Sequence, residues 1–96
     1  MASIKFNRSN NLIDEKFYFQ FRIEVVKLVA HLDEIFSDFF EGVFEITVDE
    51  EEPQAGYTKE LGEEFDEDLL SANIEVLNKR MVQIAQKITK LNEPWF

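Results

Sequence analysis

The sequence contains no cysteine, and this absence excludes disulfide bonds, thiolate metal sites and cysteine nucleophiles. With only three glycines, it also has no glycine-rich phosphate-binding loop. The single histidine, His31, has no serine or cysteine at motif spacing that it could activate. No apolar run approaches the roughly 20 residues of a membrane span, and the first residues lack the apolar region of a signal peptide. We therefore expect a cytoplasmic, non-enzymatic protein without a metal or other cofactor.

Basic residues are also scarce. The chain has 10 Lys and Arg and 20 Asp and Glu, which gives a net charge of −10. Such a chain is repelled by nucleic acid and by anionic membranes, so we expect it to bind neither directly. The charge is uneven. The segment from Glu41 to Asp68 has twelve acidic residues and one basic residue, Lys59, for a net charge of −11, and the rest of the chain sums to +1. One acidic block therefore accounts for all of the net negative charge.

Apolar residues are plentiful, at 45% of the chain with ten Phe, which is ample for one hydrophobic core. A chain of 96 residues has no room for a second core, so residues 1–96 are predicted to form a single domain. Small domains bury a smaller fraction of their surface than large ones. We therefore expect some apolar surface to remain exposed, and we expect a homodimer.

Residues 12–41 are predicted to form the first helix. Residues 17–25 alternate in the manner of a strand, but a longer apolar pattern with helical spacing of three and four residues passes through them; this seam consists of Tyr18, Phe21, Val25, Leu28, Leu32, Ile35 and Phe39. Ser9, Asn10 and Asn11 are candidate N-terminal caps, with Asp14 and Glu15 in the first turn. The longer pattern favours the helix.

A second helix is predicted over residues 64–91, on a matching apolar seam of Leu70, Ile74, Leu77, Met81, Ile84, Ile88 and Leu91. Two matched seams in a short chain predict an antiparallel helical pair. This pairing brings Leu32 to Leu77, Val25 to Ile84, and Glu24 beside Lys87.

Residues 43–61 are predicted to be an acidic β-hairpin or loop, because Phe44, Ile46 and Val48 alternate with polar residues ahead of a charged turn. A short strand at residues 3–6 extends it into a small antiparallel sheet. We expect this sheet to cover a second apolar face of the first helix, which consists of Phe19, Val26, Val29, Phe36 and Phe40. The predicted fold class is α+β and mostly helical, with the first helix central and the second peripheral.

Glu63, Glu64 and Glu67 have EExxE spacing, which resembles the Mg²⁺-binding motif of all-helical nucleotide pyrophosphohydrolases. Those enzymes carry a second motif, ExxD, on a following helix. Here the corresponding residues are Glu75 to Asn78, which lie too close to the first motif and lack the Asp. Too few carboxylate ligands remain for the metal, so this activity is a minor alternative.

The acidic block supports two hypotheses about function. In the first, the protein is a binding module whose acidic pole docks on a basic partner, in its sharpest form an inhibitor that presents carboxylates in place of nucleic-acid phosphates. The candidate contact residues are Asp49, Glu50, Glu51, Glu52, Glu63, Glu64 and Asp66. In the alternative, the protein is a homo-oligomeric structural or adaptor subunit, and the acidic block keeps it in solution.

Overall fold

A computed structural model describes residues 3–10, 12–35, 43–58 and 67–92. Its elements follow in the order β1 (Ser3–Arg8), α1 (Glu15–Ile35), β2 (Val43–Val48), β3 (Gln54–Thr58) and α2 (Glu67–Asn92). The fold is α+β and mostly helical, as predicted. The end of the predicted first helix and the start of the second lie outside the described residues.

Helix α1 includes residues 17–25, so the helical interpretation of that stretch is confirmed. Its N-terminal cap is Asp14, whose Oδ1 accepts a hydrogen bond from the Phe17 N–H at 3.0 Å. The Asp14 carbonyl accepts the Tyr18 N–H, also at 3.0 Å. An aspartate at this position satisfies an N–H group that has no partner inside the helix. The helix therefore begins at Glu15, three residues later than predicted.

Ser9 and Asn10, which the sequence offered as caps, shape the connection between β1 and α1 instead. The Ser9 N–H donates to the Val48 carbonyl at 3.0 Å. Asn10 Oδ1 accepts the Leu12 N–H at 2.8 Å. Asparagine side chains commonly bond the backbone two residues ahead and so stabilise turns.

The sheet has the order β1-β2-β3 and is mixed, so the predicted antiparallel sheet is wrong for β1. β1 pairs parallel to β2, whereas β2 and β3 form an antiparallel hairpin. The connection between the strands permits this parallel pairing. A parallel pair needs a long crossover such as a helix, and α1 lies between β1 and β2 in the chain.

The two faces of the sheet differ sharply in burial. Phe44, Ile46 and Val48 of the central strand are completely buried, while the alternate residue Thr47 is exposed. On the same outward face, Lys5 Nζ lies 3.4 Å from Glu45 Oε1 across the parallel pair. Because successive side chains of a strand point to opposite faces, one face of the sheet lies against the helices and the other faces solvent.

Both helices contribute to the core, which corrects the prediction that the second helix is peripheral. Helix α2 contacts α1 and β3. The two helices and the central strand share one cluster of buried side chains, which includes Phe17, Phe21, Val25 and Val29 from α1 and Leu77, Met81, Ala85 and Ile88 from α2. The helical spacing of these residues places each set on a single face of its helix.

Among the described residues of the second apolar face of α1, Phe19 and Val26 are not covered by the sheet, contrary to prediction. Phe19 is 54% exposed and Val26 is 47% exposed, and Ile23 beside them is 54% exposed. Of the predicted face, Val29 is buried, while Phe36 and Phe40 lie outside the described residues. The spacing 19, 23, 26 puts the three exposed side chains in one stripe along the helix. We call Phe19, Ile23 and Val26 the outer stripe.

A side chain of α2 supports the edge of the sheet. β3 is an edge strand, and the outward N–H groups of an edge strand have no strand partner. Asn78 Oδ1 accepts the Ala55 N–H at 2.8 Å in a partly buried position. This bond fixes α2 to β3.

Asn78→Ala is expected to lower the free energy of unfolding by about 1 kcal/mol, because the Ala55 N–H loses its acceptor. It should also speed hydrogen exchange at the Ala55 amide. Asn73→Ala on the same helix is the matched control, since both substitutions raise helix propensity equally. Equal stabilities for the two variants in urea denaturation would contradict a supporting role for Asn78.

Candidate functional site

The connection between β2 and β3 holds four consecutive acidic residues, Asp49, Glu50, Glu51 and Glu52, which we call the acidic turn. Asp49 Oδ1 accepts the Glu51 N–H at 2.8 Å and the Glu52 N–H at 3.3 Å. Pro53, which follows, is buried. With Asp49 bonded to the backbone and Pro53 packed inward, the three glutamate side chains are left exposed to solvent.

The two backbone N–H groups also change the acidity of Asp49. The N–H of Glu51 and then that of Glu52 hold the pKa of the Asp49 carboxyl below its ordinary value; burial opposes this effect, and the Ser9 hydroxyl makes the smallest lowering contribution. Hydrogen bonds to the charged form of a carboxyl favour that form. Asp49 therefore stays ionised as the anchor of the turn.

The NMR signal of the Asp49 side-chain carboxyl carbon is expected to titrate with a midpoint below 3.8, the ordinary pKa of this group. Because the pKa of Asp49 is lower in the folded state, its contribution to stability is present above that ordinary value and is lost as the pH falls through the folded pKa. NMR titration measures the midpoint. Asp49→Asn keeps the oxygen acceptor and should remove this titration. A midpoint at or above the ordinary value contradicts the bonding described.

The acidic turn lies beside the start of α1. The Asp14 N–H donates to Glu50 Oε1 at 3.4 Å, so a carboxylate of the turn contacts the cap of the helix. Helix N-termini favour negative charge. A shallow depression of about 340 Å³ is lined by residues of both segments: Ser9, Asn10, Leu12, Ile13, Asp49, Glu50 and Glu51.

Leu12 was predicted to be the first residue of the first helix, and its place on this surface was not expected. The residue precedes the helix cap and its side chain is 93% exposed. The asparagines before Leu12 were a usable signal, since they favour a turn over a helix. The result is an apolar side chain that projects beside carboxylates.

Of the predicted contact residues, the structure brings Asp49, Glu50, Glu51 and Glu52 together on one turn. Glu63, Glu64 and Asp66 lie outside the described residues, as do the first two carboxylates of the EExxE spacing. Within residues 3–10, 12–35, 43–58 and 67–92, no group of three or more His, Asp and Glu side chains is arranged to hold a metal ion. His31 is exposed on α1.

Comparison with protein-family models, with curated proteins and with solved structures finds no match for this chain. Neither described helix is both long enough and apolar enough to cross a membrane.

Proposed function

We propose that this protein is a non-enzymatic, cytoplasmic binding module whose acidic turn docks on a basic surface of a partner protein. The observation that carries the proposal is the pair of hydrogen bonds from Asp49 to the backbone of Glu51 and Glu52. They hold the backbone of the turn while three glutamate side chains remain exposed. A charged surface that is ordered before binding loses less conformational entropy when a partner docks.

The sharpest form of the proposal is an inhibitor that occupies the nucleic-acid groove of its partner. Carboxylates at close spacing present to Lys and Arg the same sign of charge as backbone phosphates. In this form Glu63, Glu64 and Asp66, which lie outside the described residues, are further candidate contact residues. We also propose that α1 and α2 pair antiparallel, as the apolar seams predict. This pairing is supported by a groove that residues 24–31 of α1 and 80–87 of α2 line together.

An affinity pull-down from the source cell tests the docking role. The bait carrying Glu50→Gln, Glu51→Gln and Glu52→Gln is expected to lose partners that the unaltered bait captures. A charge-matched control carries Glu24→Gln, Glu34→Gln and Glu75→Gln, which also removes three exposed carboxylates. Nuclease treatment of the lysate excludes bridging by nucleic acid. Capture of the same partners by all three baits contradicts the proposal.

Competition distinguishes the nucleic-acid mimic from the broader binding module. If the acidic turn occupies a nucleic-acid groove, added double-stranded DNA or RNA should displace the bait from its captured partner, because both ligands need the same cations. The control is a neutral polymer at the same mass concentration. If neither DNA nor RNA displaces the bait, the mimic is excluded and the broader docking role is left standing.

The alternative function, a homo-oligomeric structural or adaptor subunit, is favoured by the outer stripe. Phe19, Ile23 and Val26 form an exposed apolar surface on the side of α1 away from the core. Contiguous apolar surface often marks a protein–protein contact. A dimer formed through the outer stripe should persist at high salt and dissociate when Phe19 and Ile23 are both replaced by Ser.

A further inference from the structure

A groove of about 410 Å³ lies between α1 and α2, and it is the positive counterpart of the acidic turn. Its lining includes the half-buried apolar side chains Leu28 and Ile84 together with the exposed cationic side chains Lys27, Arg80 and Lys87. We call these five residues the basic groove. His31 and Glu24 also line it. An apolar surface bordered by cations suits an anionic ligand that has an apolar part.

The basic groove retains cations that are available for a ligand. Lys27 Nζ lies 3.8 Å from Glu24 Oε1, one helical turn away. Both side chains are exposed, so this ion pair is weak. Within the described residues, neither Arg80 nor Lys87 forms an ion pair. Several other basic side chains are engaged elsewhere: Lys5 with Glu45, Lys79 with Glu75, and Arg8 over the Tyr18 ring.

The surface around Leu12 has the complementary character. Leu12, 93% exposed, projects beside Glu50 and Glu51 of the acidic turn. It therefore presents an apolar side chain next to negative charge, whereas the basic groove presents apolar side chains next to positive charge. Matching apolar contacts with opposite charges around them is the usual arrangement of a specific interface.

The two surfaces cannot meet within one folded chain. Leu12 precedes the first residue of α1, while Leu28 lies 13 residues beyond that first residue, Glu15. At about 1.5 Å per residue, the groove is roughly 20 Å along a straight helix from the Leu12 end. An acidic turn that occupies the basic groove must therefore belong to another molecule.

We propose that copies of this chain associate head to tail, with Leu12 and the acidic turn of one copy seated in the basic groove of the next. Such a contact uses different surfaces on the two copies, so it leaves one groove and one acidic turn unoccupied and can extend into a ring or a filament. A contact made by one turn and one groove is small, and small contacts are weak. Association should therefore depend on concentration. The inference needs no partner protein and does not rest on the proposed function, although self-association would cover the acidic turn.

The test is sedimentation velocity of the purified full chain over a range of concentrations, at about 0.05 M and about 0.5 M salt. Wild type is expected to associate at low salt and to dissociate at high salt. The turn variant, Leu12→Ser with Glu50→Gln and Glu51→Gln, should weaken association at least about tenfold. The groove variant, Arg80→Gln with Lys87→Gln, should do the same. All five side chains are exposed, and circular dichroism checks that each variant is folded.

Mixing the two variants gives the decisive result. The turn variant keeps an intact basic groove and the groove variant keeps an intact acidic turn, so together they should form a 1:1 dimer that cannot extend. A wild type that stays monomeric at low salt overturns the proposal, as does a mixture that does not dimerise. Salt-insensitive association that is lost with Phe19→Ser and Ile23→Ser also overturns it, since that result assigns the contact to the outer stripe. The groove variant should still capture partner proteins, so failure here is distinguishable from failure of the docking role.

Discussion

Phe21→Ala is expected to lower the free energy of unfolding by about 3–5 kcal/mol. The Phe21 side chain is completely buried in the cluster shared by both helices and the central strand. Its ring also stacks on Phe17, with centroids 5.8 Å apart and ring planes 15° apart. Truncation to Ala removes the buried ring and leaves a cavity that the surrounding side chains cannot fill. Urea denaturation followed by circular dichroism measures the loss.

Phe19→Ala is the matched control for this substitution. Phe19 lies on the same helix two residues away, but its side chain is 54% exposed. The same chemical change should therefore cost under about 1 kcal/mol. If Phe19→Ala is the more destabilising of the two, the sheet and α2 cover the opposite face of α1 from the one described.

Leu77→Ala is expected to cost about 2–5 kcal/mol of unfolding free energy, because Leu77 is completely buried where α2 joins the common cluster. The substitution tests whether α2 is an essential part of the core. If α2 were peripheral, as the sequence predicted, Leu77→Ala would lower the free energy of unfolding only slightly.

The adjacent Val76, 49% exposed, provides the control on α2. Val76→Ala should change the free energy of unfolding by no more than about 0.5 kcal/mol, since it leaves the buried face intact and Ala favours helix. Equal effects at positions 76 and 77 would mean that α2 does not pack through the face described.

The helices were predictable because their apolar spacing persists over many turns. The alternation of apolar residues over residues 17–25 is a local pattern of strand type, yet the seam that contains Phe21 and Val25 continues on both sides of it. Tertiary burial follows the longer pattern, because a helix is stabilised mainly by packing its whole apolar face. Phe44, Ile46 and Val48 were likewise predicted as one buried face of a strand.

The direction of β1 was not predictable from its own residues. A strand that alternates Ile4 and Phe6 with polar residues can pair in either direction, since the alternation fixes only which face is buried. The direction depends on what lies between the strands, and the intervening α1 permits a parallel crossover. The sequence pattern likewise does not show which of the two apolar faces of α1 is covered. Phe19 and Val26 were expected to lie under the sheet, but both are exposed.

The acidic turn was predicted as a charged loop, and the structure shows the hydrogen bonds that hold its backbone. Charge alone does not distinguish Asp49 from the three glutamates that follow, yet only Asp49 is seen to bond the backbone of the turn itself, whereas Glu50 accepts the Asp14 N–H. The shorter side chain of aspartate reaches the N–H two residues ahead, which is the reason that aspartate rather than glutamate favours this turn. The proximity of Leu12 depends on tertiary contact between β1, β2 and α1.

We propose that Glu50, Glu51 and Glu52 act through their position on an ordered turn and not through total charge. The most direct measurement is the salt concentration that releases half of the captured partner from the bait. This concentration is expected to fall for the variant with glutamine at positions 50, 51 and 52, because fewer charge pairs oppose release. It should stay close to the wild-type value for the control with glutamine at positions 24, 34 and 75. Equal shifts for both variants, or no shift for either, would contradict the claim.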